Sequence, residues 1–449
     1  MRRIRAALWG ILLGLTGLWL MADSLWPQPF GYFPFRNVFV QYSGVLAMGS
    51  MALCMWLALR PAWLESALDG LEKMYRLHKG AGIGALVSSL LHWWWAQGTK
   101  WMVGWGWLER PAGGSGSGPG GPLQGIEAWL RMQRGLAETL GEWAFYAALI
   151  LMVLALVKRF PYRLFIKTQK ILAITYLVLC WHTLVLMKFD YWTQPIGWVM
   201  ALLVVAGSVA AVLVLLGRVG ASRQVPGKIS HLRYFPDLHI LATRVRLEQG
   251  WPGHQAGQFA FVNVIGSSER AHPYTMASSW DPQQREILFV TKALGDHTST
   301  LHEVLKPGMP VTVEGPYGRF TFNGGRGRQI WIGAGIGITP FIARMQQMQQ
   351  ESGVQHEAVD LFHPVAHDDG EALQLLRDNA DAAGVRLHVM VDKRDGYLTG
   401  ARLRQLVPDW QTASVWFCGP TGFADALRQD LCAHGLPADQ FHQELFAMR

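Results

Sequence analysis

Hydrophobic positions follow two regimes along this chain. Over residues 1–220 they form long runs, and beyond that they fall into short alternating stretches. A bilayer core needs about 20 apolar residues of helix. Six runs meet that length, at about Ile4–Met21, Val38–Leu59, His78–Gln97, Glu142–Val157, Ile171–Met187 and Ile196–Leu216. They predict a six-helix transmembrane bundle. Between the second and third, Ala62–Arg76 mixes apolar and charged positions at helical spacing, which suits a helix lying on the membrane surface. The segment that holds the fifth run, Ile166–Met187, carries His182. An ionisable side chain inside a membrane helix is costly, and by default it suggests a function.

The third run carries two more, His78 and His92. Fourteen residues of helix rise about 21 Å and make nearly four turns, so both point to roughly one side. With six spans, the third and fifth run in the same direction. His182 then lies at the depth of His92, and Gln169 at the depth of His78. One pair of facing imidazoles is predicted, together with one half-site at His78. Two imidazoles suit a haem iron that passes electrons, because no open position is left for substrate. A satisfied polar residue linking two helices is the bland alternative.

From Val225 the pattern changes. Short alternating stretches at His239–Leu247, Gln258–Val264, Glu286–Thr291 and Pro310–Glu314 predict a small antiparallel β-barrel over residues 225–325. Strands at Gln329–Ile332, Ala358–Phe362, Arg386–Val391 and Ser414–Cys418 follow. They alternate with helices at Pro340–Glu351, Glu371–Ala383 and Ala401–Leu406, which predicts an α/β domain with a parallel sheet over residues 326–449.

Composition sharpens this division. Half of the 449 residues are hydrophobic, 16% are charged and 21 are Trp. The formal charge of +8 does not indicate nucleic acid. Its excess lies beside the apolar runs, at Arg2, Arg3 and Arg5, at Lys73, Arg76 and Lys79, at Lys158, Arg159, Arg163, Lys167 and Lys170, and at Arg218, Arg223 and Lys228. That distribution places both termini in the cytoplasm by the positive-inside rule. The first 26 residues resemble a secretory signal; the apolar core is long for one, and they are read as a retained first helix, cleavage being the alternative. The outer loop Gly98–Gly135 holds the flexible piece PAGGSGSGPGGP, and its Trp101, Trp105 and Trp107 suit an interfacial belt. Cys54, Cys180, Cys418 and Cys432 have no paired spacing, so neither a disulfide framework nor a zinc site is expected.

Several motifs carry chemistry. Gly333, Gly335, Gly337, Thr339 and Pro340 lie in GAGIGITP, directly after the strand RQIWI. Glycines at such a turn let backbone amides approach a pyrophosphate at the helix N-terminus, and Pro340 suits the first helical position. His272, Pro273, Tyr274 and Thr275 form HPYT, with Ser278 close behind. Lys292, Gly295 and Thr298 belong to KALGDHT, Glu314–Gly318 reads EGPYG, and Cys418, Gly419 and Pro420 end a late strand. The chain closes FHQELFAMR.

Together, and in this order, these features resemble the membrane-bound ferredoxin–NADP reductase architecture of ferric reductases and NADPH oxidases. The resemblance covers almost the whole chain. It implies FAD held by His272, Pro273, Tyr274, Thr275 and Ser278, with Lys292, Gly295 and Thr298 at its diphosphate. It implies NADPH or NADH at Gly333, Gly335, Gly337, Thr339 and Pro340, with Cys418, Gly419 and Pro420 beside the nicotinamide. Thr275 near the flavin N5, Cys418, and Phe446 stacked on the flavin would frame hydride transfer. b-type haem would be bound by His92 and His182, and His78 would belong to an inner haem.

Two positions depart from the families' pattern. Gln169 stands where they usually carry the second inner histidine, and a Gln carbonyl is a poor haem ligand. Ala366, in LFHPVAHDD, lies near the position of an Arg that pairs the 2′-phosphate of NADPH; Lys393 and Arg394 are a second possible 2′-phosphate site. The implied activity is transmembrane electron transfer from cytoplasmic NAD(P)H to ferric iron, a ferric chelate or oxygen outside, in a bacterial inner membrane. The alternative is a haem-free membrane-anchored flavoreductase that serves a redox partner or quinone. A redox-driven transporter would need internal repeats or paired broken helices, and the chain has neither.

Overall fold

The computed structural model describes residues 2–68, 70–109, 125–157, 162–266, 271–323, 327–351, 356–366 and 370–444. The chain divides into two compact units, Met1–Val219 and Gly220–Met448. The low-complexity piece of the Gly98–Gly135 loop and the C-terminal Phe446 lie outside the described residues.

The first unit is helical. Its elements are α1 (Arg2–Leu20), α2 (Tyr32–Leu57), α3 (Ala62–Ala67), α4 (Leu71–Trp93), α5 (Thr99–Gly104), α6 (Ile126–Met132), α7 (Arg134–Leu156), α8 (Tyr162–Leu186) and α9 (Pro195–Leu215). Among the described residues, four helices are long and apolar enough to cross a membrane: α2, α7, α9 and the Lys167–Leu186 part of α8. Ile4–Leu20 is apolar but shorter. Helix α4 is 23 residues long, yet its first three turns carry Glu72, Lys73, Arg76, His78 and Lys79. Of the six spans expected, four therefore qualify on length and hydropathy among the described residues.

These helices pack through small residues, as expected where lipid removes the hydrophobic drive between them. A side chain at Gly49 would meet Leu15 at 2.6 Å, and one at Gly207 would meet the Tyr176 hydroxyl at 2.0 Å. The faces away from the bundle expose Ile150, Val153, Leu202, Val205 and Val209. Such a surface suits hydrocarbon rather than water. Helix α4 passes directly into a π-helical turn, Trp94–Gly98, before α5. Helix α9 stops at Gly217, whose φ is +67°. The Arg218 amide donates back to the Leu213 carbonyl at 2.9 Å, a glycine-terminated Schellman stop.

The second unit opens with a six-stranded antiparallel sheet in the order β4-β3-β6-β1-β2-β5. Its strands are β1 (Gln224–Phe235), β2 (Ile240–Leu247), β3 (Phe259–Val264), β4 (His272–Thr275), β5 (Glu286–Lys292) and β6 (Pro310–Tyr317), and α10 (Asp296–Val304) follows β5. Alternation in β2 and β5 turns Leu241, Val245, Leu247, Ile287 and Phe289 inward. The four predicted strands are present, and β1 and the short β4 join them.

A parallel sheet follows, in the order β11-β10-β7-β8-β9. It comprises β7 (Arg328–Gly333), β8 (Ala358–Val365), β9 (Arg386–Val391), β10 (Ala413–Cys418) and β11 (Phe441–Glu444). Between strands lie α11 (Thr339–Gln350), α12 (Gly370–Ala382), α13 (Asp392–Asp395), α14 (Gly400–Leu406) and α15 (Thr421–Ala433). Both faces are covered, so the inner stretches of its strands are mostly apolar. Trp331, Leu361, Trp416 and Cys418 pack on one side with Phe341, while Ile330, Ile332, Phe362, Val415 and Phe417 pack on the other. This order sets β7 beside β10 at the centre, which positions the glycine loop that follows β7.

Candidate functional site

In the membrane unit, His92 on α4 and His182 on α8 come together. Their ring centres are 6.2 Å apart and their planes meet at 80°. His92 Nδ1 lies 2.9 Å from the Val40 carbonyl of α2. His182 Nδ1 lies 2.9 Å from the Ala137 carbonyl of α7. A carbonyl only accepts, so each Nδ1 carries the proton and each Nε2 keeps its lone pair for a metal. Such an outer bond fixes both tautomer and ring orientation. A metal held by two imidazoles at bonds of about 2 Å would set their centres about 6 Å apart. The observed spacing fits one iron held between them.

Two glycines make room for these rings. A β-carbon at Gly141 would lie 1.9 Å from His182 Nδ1, and one at Gly44 would lie 3.3 Å from His92 Nδ1 and Cε1. Arg36, one turn before Val40 on α2, donates from Nη2 to the Ala96 carbonyl at 3.3 Å. Its Nε is buried and has no hydrogen-bond partner among the described residues. Sequence reasoning missed Val40, Ala137, Gly44, Gly141 and Arg36. The glycines left a signal, as small residues inside long apolar runs; the carbonyl partners left none. His78 is on the third turn of α4, where its carbonyl accepts from Cys54 Sγ at 3.5 Å. Among the described residues no hydrogen bond or ring contact joins it to Gln169.

In the second unit, HPYT is strand β4 itself. Thr275 pairs with Phe259, Tyr274 with Ala260, Pro273 with Phe261 and His272 with Val262. His272 stacks on His297 at 4.0 Å between ring centres, and the Tyr274 hydroxyl is 3.1 Å from His297 Nε2. Strand β4 thus meets the start of α10. There the Thr298 hydroxyl accepts from the Leu294 and Gly295 amides at 3.0 and 3.3 Å. Lys292 ends β5, opposite Ile240. A lysine and a helix N-terminus side by side can receive a diphosphate. Ser278 differs in kind: its hydroxyl accepts from the Leu288 amide at 3.0 Å, and its carbonyl accepts from His254 Nε2 at 2.9 Å. Both groups tie the loop after β4 to the barrel.

The glycine loop after β7 is built against the end of β10. Gly333 pairs with Cys418 across the sheet, and the Ala334 amide donates to the Cys418 carbonyl at 3.0 Å. Gly335 has φ +55°, a conformation that glycine adopts at little cost. A β-carbon at Gly337 would lie 2.1 Å from the Cys418 carbonyl oxygen, and one at Gly419 2.8 Å from Ala334 Cβ. The Thr339 hydroxyl donates to the Ile336 carbonyl at 3.2 Å, and Pro340 is the second residue of α11. Cys418 is fully buried. Burial and the nearby Glu444 carboxylate raise its thiol well above the usual range, so it packs as a small apolar group. Pro420 is exposed at the loop mouth.

Comparisons with known proteins agree with this division. Residues 43–180 match the ferric reductase like transmembrane component, and residues 228–321 match an FAD-binding domain. An NADPH oxidoreductase of Mycobacterium tuberculosis is 26% identical over 215 residues, covering 45% of this chain and 55% of that protein. A flavohemoprotein of Halalkalibacterium halodurans is 28% identical over 217 residues, covering 43% and 52%. The chain thus matches about half the length of these relatives. Among solved structures, the flavohem-like FAD/NAD binding domain of a Vibrio cholerae nitric oxide dioxygenase aligns with a TM-score of 0.42 and 20% identity, over 49% of this chain and 98% of that one. The two family models thus meet this chain in order, a ferric reductase-like membrane component first and an FAD-binding domain after it.

Proposed function

We propose that this protein carries electrons from cytoplasmic NAD(P)H, through FAD and b-type haem, to a small acceptor on the outer face of a bacterial inner membrane. The acceptor would be ferric iron, a ferric chelate or oxygen, and both termini would be cytoplasmic. The carrying observation is the facing pair His92 and His182, each locked by its own carbonyl at a spacing that suits one iron. The domain assignment is 1–220 for haem, 225–325 for FAD and 326–449 for NAD(P)H.

When bound, FAD accepts hydride and releases single electrons, and haem passes them on. The residues position these groups. His92 and His182 would hold the iron through Nε2. His272, Pro273, Tyr274, Thr275 and Ser278 would line the flavin, and Lys292, Gly295 and Thr298 would receive its diphosphate. Gly333, Gly335, Gly337, Thr339 and Pro340 would cradle the nicotinamide nucleotide. Cys418, Gly419 and Pro420 would wall the nicotinamide, and Phe446 would cover the flavin face. Lys393 and Arg394, just after β9, would take a 2′-phosphate; Arg394 already bonds Asp395 at 3.0 Å, so Lys393 would carry more of that preference.

The test is the absorbance of purified protein. Wild type should show a haem band, and His182→Ala should abolish it. Haem-free wild type overturns the reading in favour of a membrane-anchored flavoreductase, and full haem in His182→Ala overturns the assignment of His92 and His182 as its ligands. The ratio of haem to FAD, compared with that of His78→Ala, decides between one haem and two.

A further inference from the structure

The strongest unexplained group in the reductase module is Glu314, a buried carboxylate in β6. It lies beside the residues with which the chain begins this unit. Its Oε1 accepts from the Tyr317 hydroxyl at 2.7 Å, and its Oε2 accepts from Gln224 Nε2 at 3.1 Å. Gln224 is the first residue of β1 and pairs with Glu314 across the sheet. Just before it, Arg223 lies over the Tyr317 ring at 4.7 Å and donates to the Pro316 carbonyl at 3.5 Å.

Gly220 closes the arrangement. Its φ is +71°, and a β-carbon there would fall 2.1 Å from Glu314 Oε1. No other residue fits without strain in the backbone and expulsion of the carboxylate. The Arg223 amide donates to the Gly220 carbonyl at 2.9 Å, closing a short turn. A carboxylate is costly to bury unless it is bonded. Here one bond comes from Tyr317 of the same strand and another from the segment that follows the last membrane helix, which ends only a few residues earlier at Leu215.

We propose that Glu314 is a positioning residue that holds the incoming segment Gly220–Gln224 in one conformation. The chain thereby enters the flavin module along a single path. This rests on the electron-transfer reading above, because its consequence is a steady rate of electron passage from the module to haem. Reduction of flavin by nucleotide, which is internal to the module, does not depend on the latch.

The experiment uses the full-length protein in detergent, as wild type, Gly220→Ala and Glu314→Gln. Hydrogen exchange reads the latch directly. Gly220→Ala should speed amide exchange over residues 220–226 at least tenfold. It should leave NAD(P)H-driven reduction of a soluble dye within twofold of wild type, and slow haem reduction tenfold or more. Glu314→Gln, which keeps an oxygen for Tyr317, should stay within threefold in all three measurements. Unchanged exchange in Gly220→Ala overturns the proposal. Faster exchange with unchanged haem reduction does so too, as does loss of dye reduction in parallel, which would mark a merely structural role. A wild type whose haem is not reduced by NAD(P)H removes the underlying reading first, before any substitution is made.

Discussion

Single residues decide whether the histidine pair can form. At Gly141 a β-carbon would overlap His182 Nδ1 at 1.9 Å, while at Gly44 it would only touch His92 at 3.3 Å. Gly141→Ala should therefore lower haem content at least tenfold, and Gly44→Ala should retain haem with a shifted spectrum. Absorbance per protein checks both. In the barrel, His254 has both ring nitrogens engaged: Nδ1 accepts from Trp251 Nε1 at 3.3 Å, and Nε2 donates to Ser278. That arrangement needs the neutral ring, and burial depresses its pKa from 6.5 to about 4. Above pH 6.5 folded and unfolded chains are both neutral here, and the contribution to stability is complete. As pH falls towards 4 the unfolded chain gains a proton that the fold refuses, which costs up to about 3 kcal/mol. The thermal midpoint should fall over that window, and His254→Asn should flatten the fall.

At the scale of elements, much of the reductase module was legible in the sequence, because period-two alternation and Gly/Pro turns mark strands whatever packs on them. The strands β2, β3, β5 to β10 and the helices α11, α12 and α14 fall within a few residues of expectation. Strand β1 was missed because Pro226 and Gly227 break its pattern, and β4 because four residues are too few to show a period. The membrane helices were legible as apolar runs. Their partners were not, since Val40 and Ala137 act through carbonyls that every residue possesses. The π turn Trp94–Gly98 left no mark in composition either. Two elements carry predictions. Asp360 of β8 bonds Arg328 at 2.6 Å, His388 at 3.0 Å and Arg386 at 3.3 Å, joining three neighbouring strands. Burial would raise its carboxyl, but the bonds from His388 and Arg328 outweigh this and hold it below the usual value. Asp360→Asn should cost about 3 kcal/mol and lower the module's unfolding midpoint by roughly 6–12 °C, read by calorimetry. Gly337→Ala, which drives a β-carbon into the Cys418 carbonyl, should raise the KM for nucleotide at least tenfold and leave bound FAD unchanged.

At the scale of the molecule, the chain pairs two kinds of solvent. The membrane unit packs through Gly and Ala and turns Leu, Val and Ile outward, while the reductase unit buries its aromatic residues and covers both sheet faces. The order of strands in the second unit has a consequence for how the protein is made. The barrel's strands are complete by Tyr317, and they pair only with one another. The glycine loop follows β7, but its wall is the Cys418 carbonyl of β10, a strand much later in the sequence that inserts between β7 and β11. Domains fold from the N-terminus during synthesis. A nascent or truncated chain can therefore complete its barrel before it can grip a reductant. On the proposed function, copies that stop short of β10 would be blind to NAD(P)H, however complete their barrel.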